Sequence, residues 1–263
     1  MRRRWDAAAQ GWERERERLG AFGAPVTAAM VSALDPRPDD EVLELAGGTG
    51  DVAAALAGRV ARLLSTDLAP GMVEAAKRRE LPGVEHEVQD MQALDLPDAS
   101  FDAVVCRYGY MLVPDRRRAF AETRRVLRPD GRLVFATWAV AKRNPWATVF
   151  GPVLVERGLM EAPVPGEPGQ FTIGDAETVE EFVGAAGFEH VEIQEVPVEI
   201  RVASWDEYVG LQTSVSTLLR ETLEPLDAAT RAEIDEAARP RFERYRTDGG
   251  YALPGVALVT RAT

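Results

Sequence analysis

Cysteine, histidine and lysine are almost missing from these 263 residues. The one cysteine, Cys106, excludes an intrachain disulfide and any multi-cysteine metal site, and its setting in the apolar run AVVC reads as a core thiol rather than a nucleophile. No metal site is expected. The histidines are His86 and His190, and the lysines Lys77 and Lys142, so imidazole or amine chemistry has few places to occur. No run approaches the roughly 18 apolar residues of a membrane span. The opening MRRRW is basic, but no apolar stretch follows it, so it does not read as an export signal. Net charge is -12, from 43 acidic and 31 basic residues, which speaks against nucleic acid or an anionic membrane as the main partner. The expectation is a cytoplasmic, soluble protein, monomeric or homodimeric, whose partner is a small molecule.

What is present is an ordinary globular composition, 46% hydrophobic and 28% charged, with length for one large α/β domain and a smaller elaboration. Short apolar runs alternate with helical stretches. The runs are EVLELA (41–46), RLLSTD (62–67), GVEHEV (83–88), FDAVVC (101–106) and GRLVFATW (131–138). Strands separated by helices of this length imply a parallel sheet with right-handed crossovers. The helix after Asp115 is expected to stop at Pro129-Asp130-Gly131. Ahead of the first strand, Trp5, Ala8, Ala9, Trp12 and Leu19 share a helical stripe, opposite the charged ERERER face. Beyond Trp138 the pattern gives a helix through VFGPVLVERGLM, the loop APVPGEPGQ, a helix ending at Gly187, the strand HVEIQEVPVEI, two helical stretches over about 204–246, and the strand YALPGVALVTRA.

The stretch VLELAGGTGDVA (42–53) carries a glycine cluster after the first strand. Glycines there let backbone N–H groups and a helix N-terminus approach a ligand. Gly48-Thr49-Gly50-Asp51-Val52-Ala53 fits the dinucleotide pattern G-x-G-x-x-G/A, and equally a looser nucleoside-binding turn. Glu44, inside the strand before the turn, opposes a pyrophosphate but suits a cationic ligand. Asp67 ends the second strand, where a carboxylate accepts from ribose hydroxyls. Asp90 and Met91 follow the third strand and offer a carboxylate for an exocyclic amine and a thioether for a ring face.

Four motifs in order, VLELAGGTG, STDLAPGMVEAAKRR, QDMQALDLPDASFDAVVCRYGYM and RRVLRPDGRLVFATW, give the chain its resemblance to the class I S-adenosylmethionine-dependent methyltransferases. It is most similar to the small-molecule branch that includes ubiquinone/menaquinone C-methyltransferase-like proteins. The resemblance covers about residues 42–138 and implies a Rossmann-like, seven-stranded, mostly parallel α/β sheet with an antiparallel last strand, helices on both faces and a helical cap. It implies S-adenosylmethionine as cofactor and S-adenosylhomocysteine as product. Carried over, Glu44 matches the acidic residue of the first motif, and the backbone at Ala46, Gly48 and Gly50 lines the methionine and ribose portion. Asp67 holds the ribose, Leu68 and Met72 lie against adenine, Asp90 takes the adenine amine with Met91 on the other ring face, and the main chain near Arg107 meets the amino end. Where the family's usual first glycine stands, this chain has Ala46, which an extended conformation would tolerate.

Methyl transfer from a sulfonium is mainly a matter of alignment and exclusion of water. Many members of the family place a histidine soon after the fourth strand; here the stretch reads CRYGYMLVPD, leaving Tyr108 and Tyr110 as weak candidates to orient an acceptor. Trp5, Trp12, Tyr110, Trp138 and Trp146 are candidate walls of the acceptor pocket. The organisation expected is a helical lid over 1–40, a cofactor core over 41–138, and completion of the sheet over 139–263 with a helical cap at about 199–250. The activity implied is methylation of a quinone-like, phenolic or polyketide-like small molecule, as in secondary metabolism. The rivals are a cyclase that retains S-adenosylmethionine on the same fold, an NAD(P)-dependent oxidoreductase, and a non-catalytic binding protein.

Overall fold

The structure, a computed structural model, describes residues 1–164 and 166–263; Pro165, in the proline-glycine loop, lies outside them. Two helices open the chain, α1 (Arg2–Arg14) and α2 (Arg16–Leu34). The alternating region follows as β1 (Glu41–Leu45), α3 (Asp51–Leu56), β2 (Arg62–Asp67), α4 (Pro70–Lys77), β3 (Val84–Val88), β4 (Phe101–Arg107), α5 (Arg116–Val126) and β5 (Leu127–Trp138). Then come α6 (Pro145–Thr148), α7 (Gly151–Glu156), α8 (Ala176–Ala185), β6 (Val191–Val202), α9 (Trp205–Val215), α10 (Thr217–Leu223), α11 (Ala228–Glu243), β7 (Arg246–Thr247) and β8 (Gly250–Ala262).

The sheet order is β3-β2-β1-β4-β5-β8-β6. Strands β1 to β5 pair in parallel, and β8 runs antiparallel between β5 and β6. The expected seven strands are therefore present, and two-residue β7 folds back on β8 as an eighth. Because β2 and β4 flank β1, the chain leaves β1 toward one edge and later returns on its other side. That reversal opens a crevice at the carboxyl ends of β1 and β4, the place where open α/β sheets bind ligands.

The central strands are apolar nearly throughout because helices cover both faces: Leu43, Leu45, Val104, Val105, Leu133 and Phe135 are fully buried. The edge strand β6 instead alternates, with Val196, Val198, Ile200 and Val202 inward. Three details differ from expectation. The N-terminal stripe is divided between two helices at Glu15, so Leu19 lies on α2 and the ERERER run spans the junction. Helix α5 ends at Val126 rather than at Pro129, because Leu127 already pairs with Phe101 across a bulge. Between β6 and β7 there are three helices rather than two, and the helix expected from 149 to 160 is confined to Gly151–Glu156. Among the described residues no helix is long and apolar enough to cross a membrane.

Helix α2 is fastened at its C-terminal end by a buried arginine. Arg132 of β5 donates to the carbonyls of Leu34 and, at 3.0 Å, Asp35, satisfying helix-end acceptors that have no intrahelical partner. The same guanidinium pairs with Asp40, which is 4% exposed. Removing one member of a buried pair leaves the other charge uncompensated. We expect Arg132→Met to lose about 3–5 kcal/mol of unfolding free energy, and Arg132→Met combined with Asp40→Leu to lose less than the sum of the two single variants; urea denaturation of the four proteins checks this.

Candidate cofactor and acceptor site

Three of the five residues after β1 have left-handed backbone: Ala46 (φ 53), Gly48 (φ 55) and Gly50 (φ 83). The expectation of an extended Ala46 is thus corrected. An alanine is held where glycine is favoured, at a cost on the order of 1 kcal/mol, by a turn bonded to β2 and within itself. The N–H of Gly47 donates to the Thr66 carbonyl at 2.9 Å, that of Gly50 to the Gly47 carbonyl at 2.9 Å, and that of Gly48 to Asp67 Oδ2 at 3.0 Å. A β-carbon on Gly47 would stand 2.4 Å from Ser65 Oγ, whereas one on Gly48 would meet nothing within 4 Å. The turn is packed at Gly47 and open at Gly48, so the backbone there is free to lie against a bound nucleoside.

Glu44 sits on the packed side. It is 2% exposed, and Ser65 Oγ donates to its Oε2 at 2.5 Å. It therefore acts on a ligand through its field rather than by contact. Burial pushes its carboxyl up to about 7, against the Ser65 hydrogen bond and the charge of Arg107. Asp67 caps the next strand end: Oδ1 accepts from the N–H of Ala69 at 2.9 Å while Oδ2 holds Gly48. Burial raises its pKa as well, opposed by those backbone bonds. Each carboxylate oxygen keeps a further lone pair, which suits the donor set of a ribose diol.

The loops after β1, β3 and β4 meet at Gly109. A β-carbon there would lie 2.6 Å from Cys106 Sγ, 2.8 Å from Ala46 Cβ and 3.6 Å from Met91 Sδ. Asp90 is fixed beside Met91 by accepting through Oδ1 from the backbone of Gln92 at 2.9 Å and its side chain at 3.1 Å. Leu68 is half-buried behind Asp67. Met72 packs with Ala8, Ala9 and Ala69 against Trp5 and Trp12 of α1.

The five candidate pocket-wall residues fall in three places. Trp5 and Trp12 pack edge to face on α1, and Trp12 Nε1 donates to the Val215 carbonyl at 3.0 Å, tying α1 to α9. Trp138 and Trp146 lie 4.9 Å apart with Phe22 of α2 against both. Tyr110 belongs to neither group. It is fully buried, stacked on Phe120 at 3.9 Å, with its hydroxyl bonded to Thr123 at 2.6 Å, so its candidacy for catalysis or the pocket is overturned by core packing. Tyr108 is different. Its backbone is left-handed (φ 65), its ring stacks on Trp138 at 4.1 Å, and its buried hydroxyl has no partner among the described residues. Burial raises this phenol, so it remains a donor.

Arg107 contributes more than main chain. Its Nη1 donates to Thr27 Oγ1 at 2.7 Å and its Nη2 to Asp51 Oδ2 at 2.8 Å, while Arg79 holds the other Asp51 oxygen at 2.9 Å. Thr27, Asp51, Arg79 and Phe22 join this group without being candidates from sequence, although Asp51 begins the helix after the turn and Arg79 ends the motif STDLAPGMVEAAKRR. His86 lies within β3 and His190 bonds Thr263 by its backbone, neither at the crevice.

Residues 43–135 match a family described as a methyltransferase domain. A demethylmenaquinone methyltransferase of Beutenbergia cavernae is 37% identical over 123 residues, 47% of this chain and 51% of that protein. The chain therefore spans about half the length of that relative. A ubiquinone/menaquinone biosynthesis C-methyltransferase, UbiE, of Acidiphilium cryptum is 33% identical over 181 residues, 62% of this chain and 71% of that protein. The YcgJ protein of Bacillus subtilis shares the fold, with a TM-score of 0.62 at 18% identity over 90% of this chain and 96% of that one.

The buried Glu44 yields a pH prediction. The folded protein keeps this proton up to about pH 7, whereas an unfolded glutamate releases it near its ordinary pKa of 4.5. Stability is therefore lost as pH rises through that window. Glu44→Gln should gain on the parent across it, by on the order of 3 kcal/mol at the upper end. Urea midpoints at about pH 5 and about pH 8 read the change; a difference independent of pH would refute the assignment.

Proposed function

The chain belongs to the class I S-adenosylmethionine-dependent methyltransferases, and from that premise we propose that it methylates a small organic acceptor of the quinol, phenol or polyketide type. The observation that carries this is the turn between Glu44 and Asp67, open at Gly48, with the loops of Met91 and Gly109 closing one side. In this reading Asp67 holds the ribose hydroxyls, with Leu68 beside the base and Asp90 and Met91 at its amine and face. The backbone of Ala46, Gly48, Gly50 and Arg107 lies along the amino-acid portion. When bound, the cofactor supplies a methyl group activated by its sulfonium. The protein's part is to orient the acceptor in line and to exclude water, through Tyr108, Trp138 and Trp146. Helices α1 and α2 (within 1–40) and the α9–α11 insertion (within 199–250) would serve as lid and cap over the 41–138 core, the remainder of 139–263 completing the sheet. A cytoplasmic setting and a monomer or homodimer complete the reading.

The relatives' names supply the quinol suggestion, and acceptor identity is open to direct test. Calorimetry should give binding of S-adenosylmethionine and S-adenosylhomocysteine but not NAD(P); NAD(P) binding alone would overturn the proposal in favour of an oxidoreductase. Asp67→Ala should weaken S-adenosylmethionine binding by about ten- to a hundredfold, the loss of one or two charge-assisted hydrogen bonds. With a naphthoquinol acceptor, one S-adenosylhomocysteine should form per methyl transferred. Acceptor conversion without S-adenosylhomocysteine would point to a cyclase instead.

A further inference from the structure

Arg107 ends β4, and it and Tyr108, the next residue, both carry hydrogen-bond donors without partners among the described residues. A guanidinium carries five N–H groups. Thr27 takes one from Nη1 at 2.7 Å and Asp51 one from Nη2 at 2.8 Å, and no other acceptor engages Arg107 among the described residues. The Tyr108 hydroxyl is buried and equally unengaged there, and the guanidinium carbon lies 6.0 Å from its ring centre. A buried hydroxyl left unpaired is destabilising, so a bound group that accepts from it recovers stability. Helix α2 closes over the pair at two consecutive residues. Phe22 stacks on Trp138 at 5.7 Å, and at Gly23 a β-carbon would stand 2.7 Å from Arg107 Nη1. The arginine and the aromatic group are thus both covered by α2.

The charge count has a sign. Arg107 and Arg79 share the single carboxylate of Asp51. Burial pushes Glu44, which also faces Arg107, toward its protonated form. Neither histidine lies at the crevice to act as a base.

We propose that the acceptor is bound as a preformed oxyanion, an acidic phenol, hydroxyquinone or enolised dicarbonyl, with its oxygen held by the Arg107 guanidinium and the Tyr108 hydroxyl. This rests on the methyl-transfer reading and adds the acceptor's chemical class. Such compounds ionise unaided near neutral pH, whereas an amine acceptor would develop positive charge beside two guanidiniums. The step balances without a protein base. The electron pair of the oxyanion, delivered from oxygen or from the carbon ortho to it, forms the bond to the methyl carbon as the S–CH₃ bond breaks with its pair on sulfur. On the carbon route the displaced ring proton leaves to water.

The probe is 4-nitrophenol, whose anion absorbs visible light, titrated into the protein loaded with S-adenosylhomocysteine, with 4-nitroanisole as the neutral isostere. We expect the phenolate to bind at least about tenfold more tightly than the ether, and the bound dye to be ionised at a lower pH than the free dye. Arg107→Met should abolish that preference, Arg107→Lys should retain part of it, and Tyr108→Phe should reduce it several-fold with the ring stack kept. Equal binding of phenol and ether by the parent protein overturns the proposal. So does an unchanged preference in Arg107→Lys and Tyr108→Phe, which decides the matter if Arg107→Met does not fold. Calorimetry with S-adenosylhomocysteine separates the two readings: a protein that ignores it yet prefers the phenolate loses the methyltransferase assignment and keeps the oxyanion site.

Discussion

Two carboxyl groups on adjacent parallel strands hold the turn on which the whole site depends. In the β1/β2 register Glu44 stands opposite Ser65, and their side chains bond beneath Gly47. One turn of the pleat further on, Asp67 reaches back to Gly48 while Thr66 takes the N–H of Gly47. A segment with positive φ at residues 46, 48 and 50 gains no regular ladder, so these bonds from β2 are what define its shape. Only a parallel neighbour in this register presents Ser65, Thr66 and Asp67 in succession to the turn. Cofactor geometry and strand pairing are therefore one problem, solved at the switch point of the sheet.

Helix α2 stands to the acceptor side as β2 stands to the turn. Arg132 binds its last carbonyls, and Arg107 binds Thr27 near its middle. Both arginines come from central strands, β5 and β4, so the helix is tied to the sheet at two levels. Phe22 and Gly23 are consequently set against Trp138 and Arg107, with little freedom to drift. A fork of rigid donors suits this better than an ammonium would, since each guanidinium serves two or more acceptors in a plane. The scarcity of lysine in the chain is in keeping with arginines used as structural ties.

Much of this was legible from residues alone. Strands at 62–67, 101–106 and 251–262 follow from short apolar runs between helical stretches, and the order of the motifs led to the sheet topology. The places of Glu44, Asp67, Asp90 and Met91 at strand ends follow from the same pattern. What was not legible depends on tertiary pairing. Leu127 leaves its helix because Phe101 offers a ladder partner, a bond that no local pattern contains. Ala46 is left-handed because the turn is fastened from below, where propensity alone argues for an extended alanine. Tyr108 and Tyr110 are two residues apart and look alike in sequence, yet with a 3-10 turn beginning at Tyr110 one stacks on Trp138 and the other on Phe120 in the core. Thr27 lies outside the motifs and Arg79 is the last residue of one of them, and only the guanidinium geometry connects the two to Asp51 and Arg107.

The charges of the site are linked through Glu44. A group titrating near neutral pH inside the protein responds to any charge placed above the turn. A bound cation favours its ionised form, and by reciprocity the ionised form favours the cation. An anion held at Arg107 works the other way, reducing the positive field that keeps Glu44 ionised. A cationic donor and an anionic acceptor bound together leave Glu44 in a field closer to that of the free protein than either would alone. The proposed methyl transfer between them would remove both charges at once, so the field at Glu44 would return toward its unliganded value as the products form. A buried, hydrogen-bonded carboxyl can thus support a cation at the start of the reaction without retaining an uncompensated charge at its end.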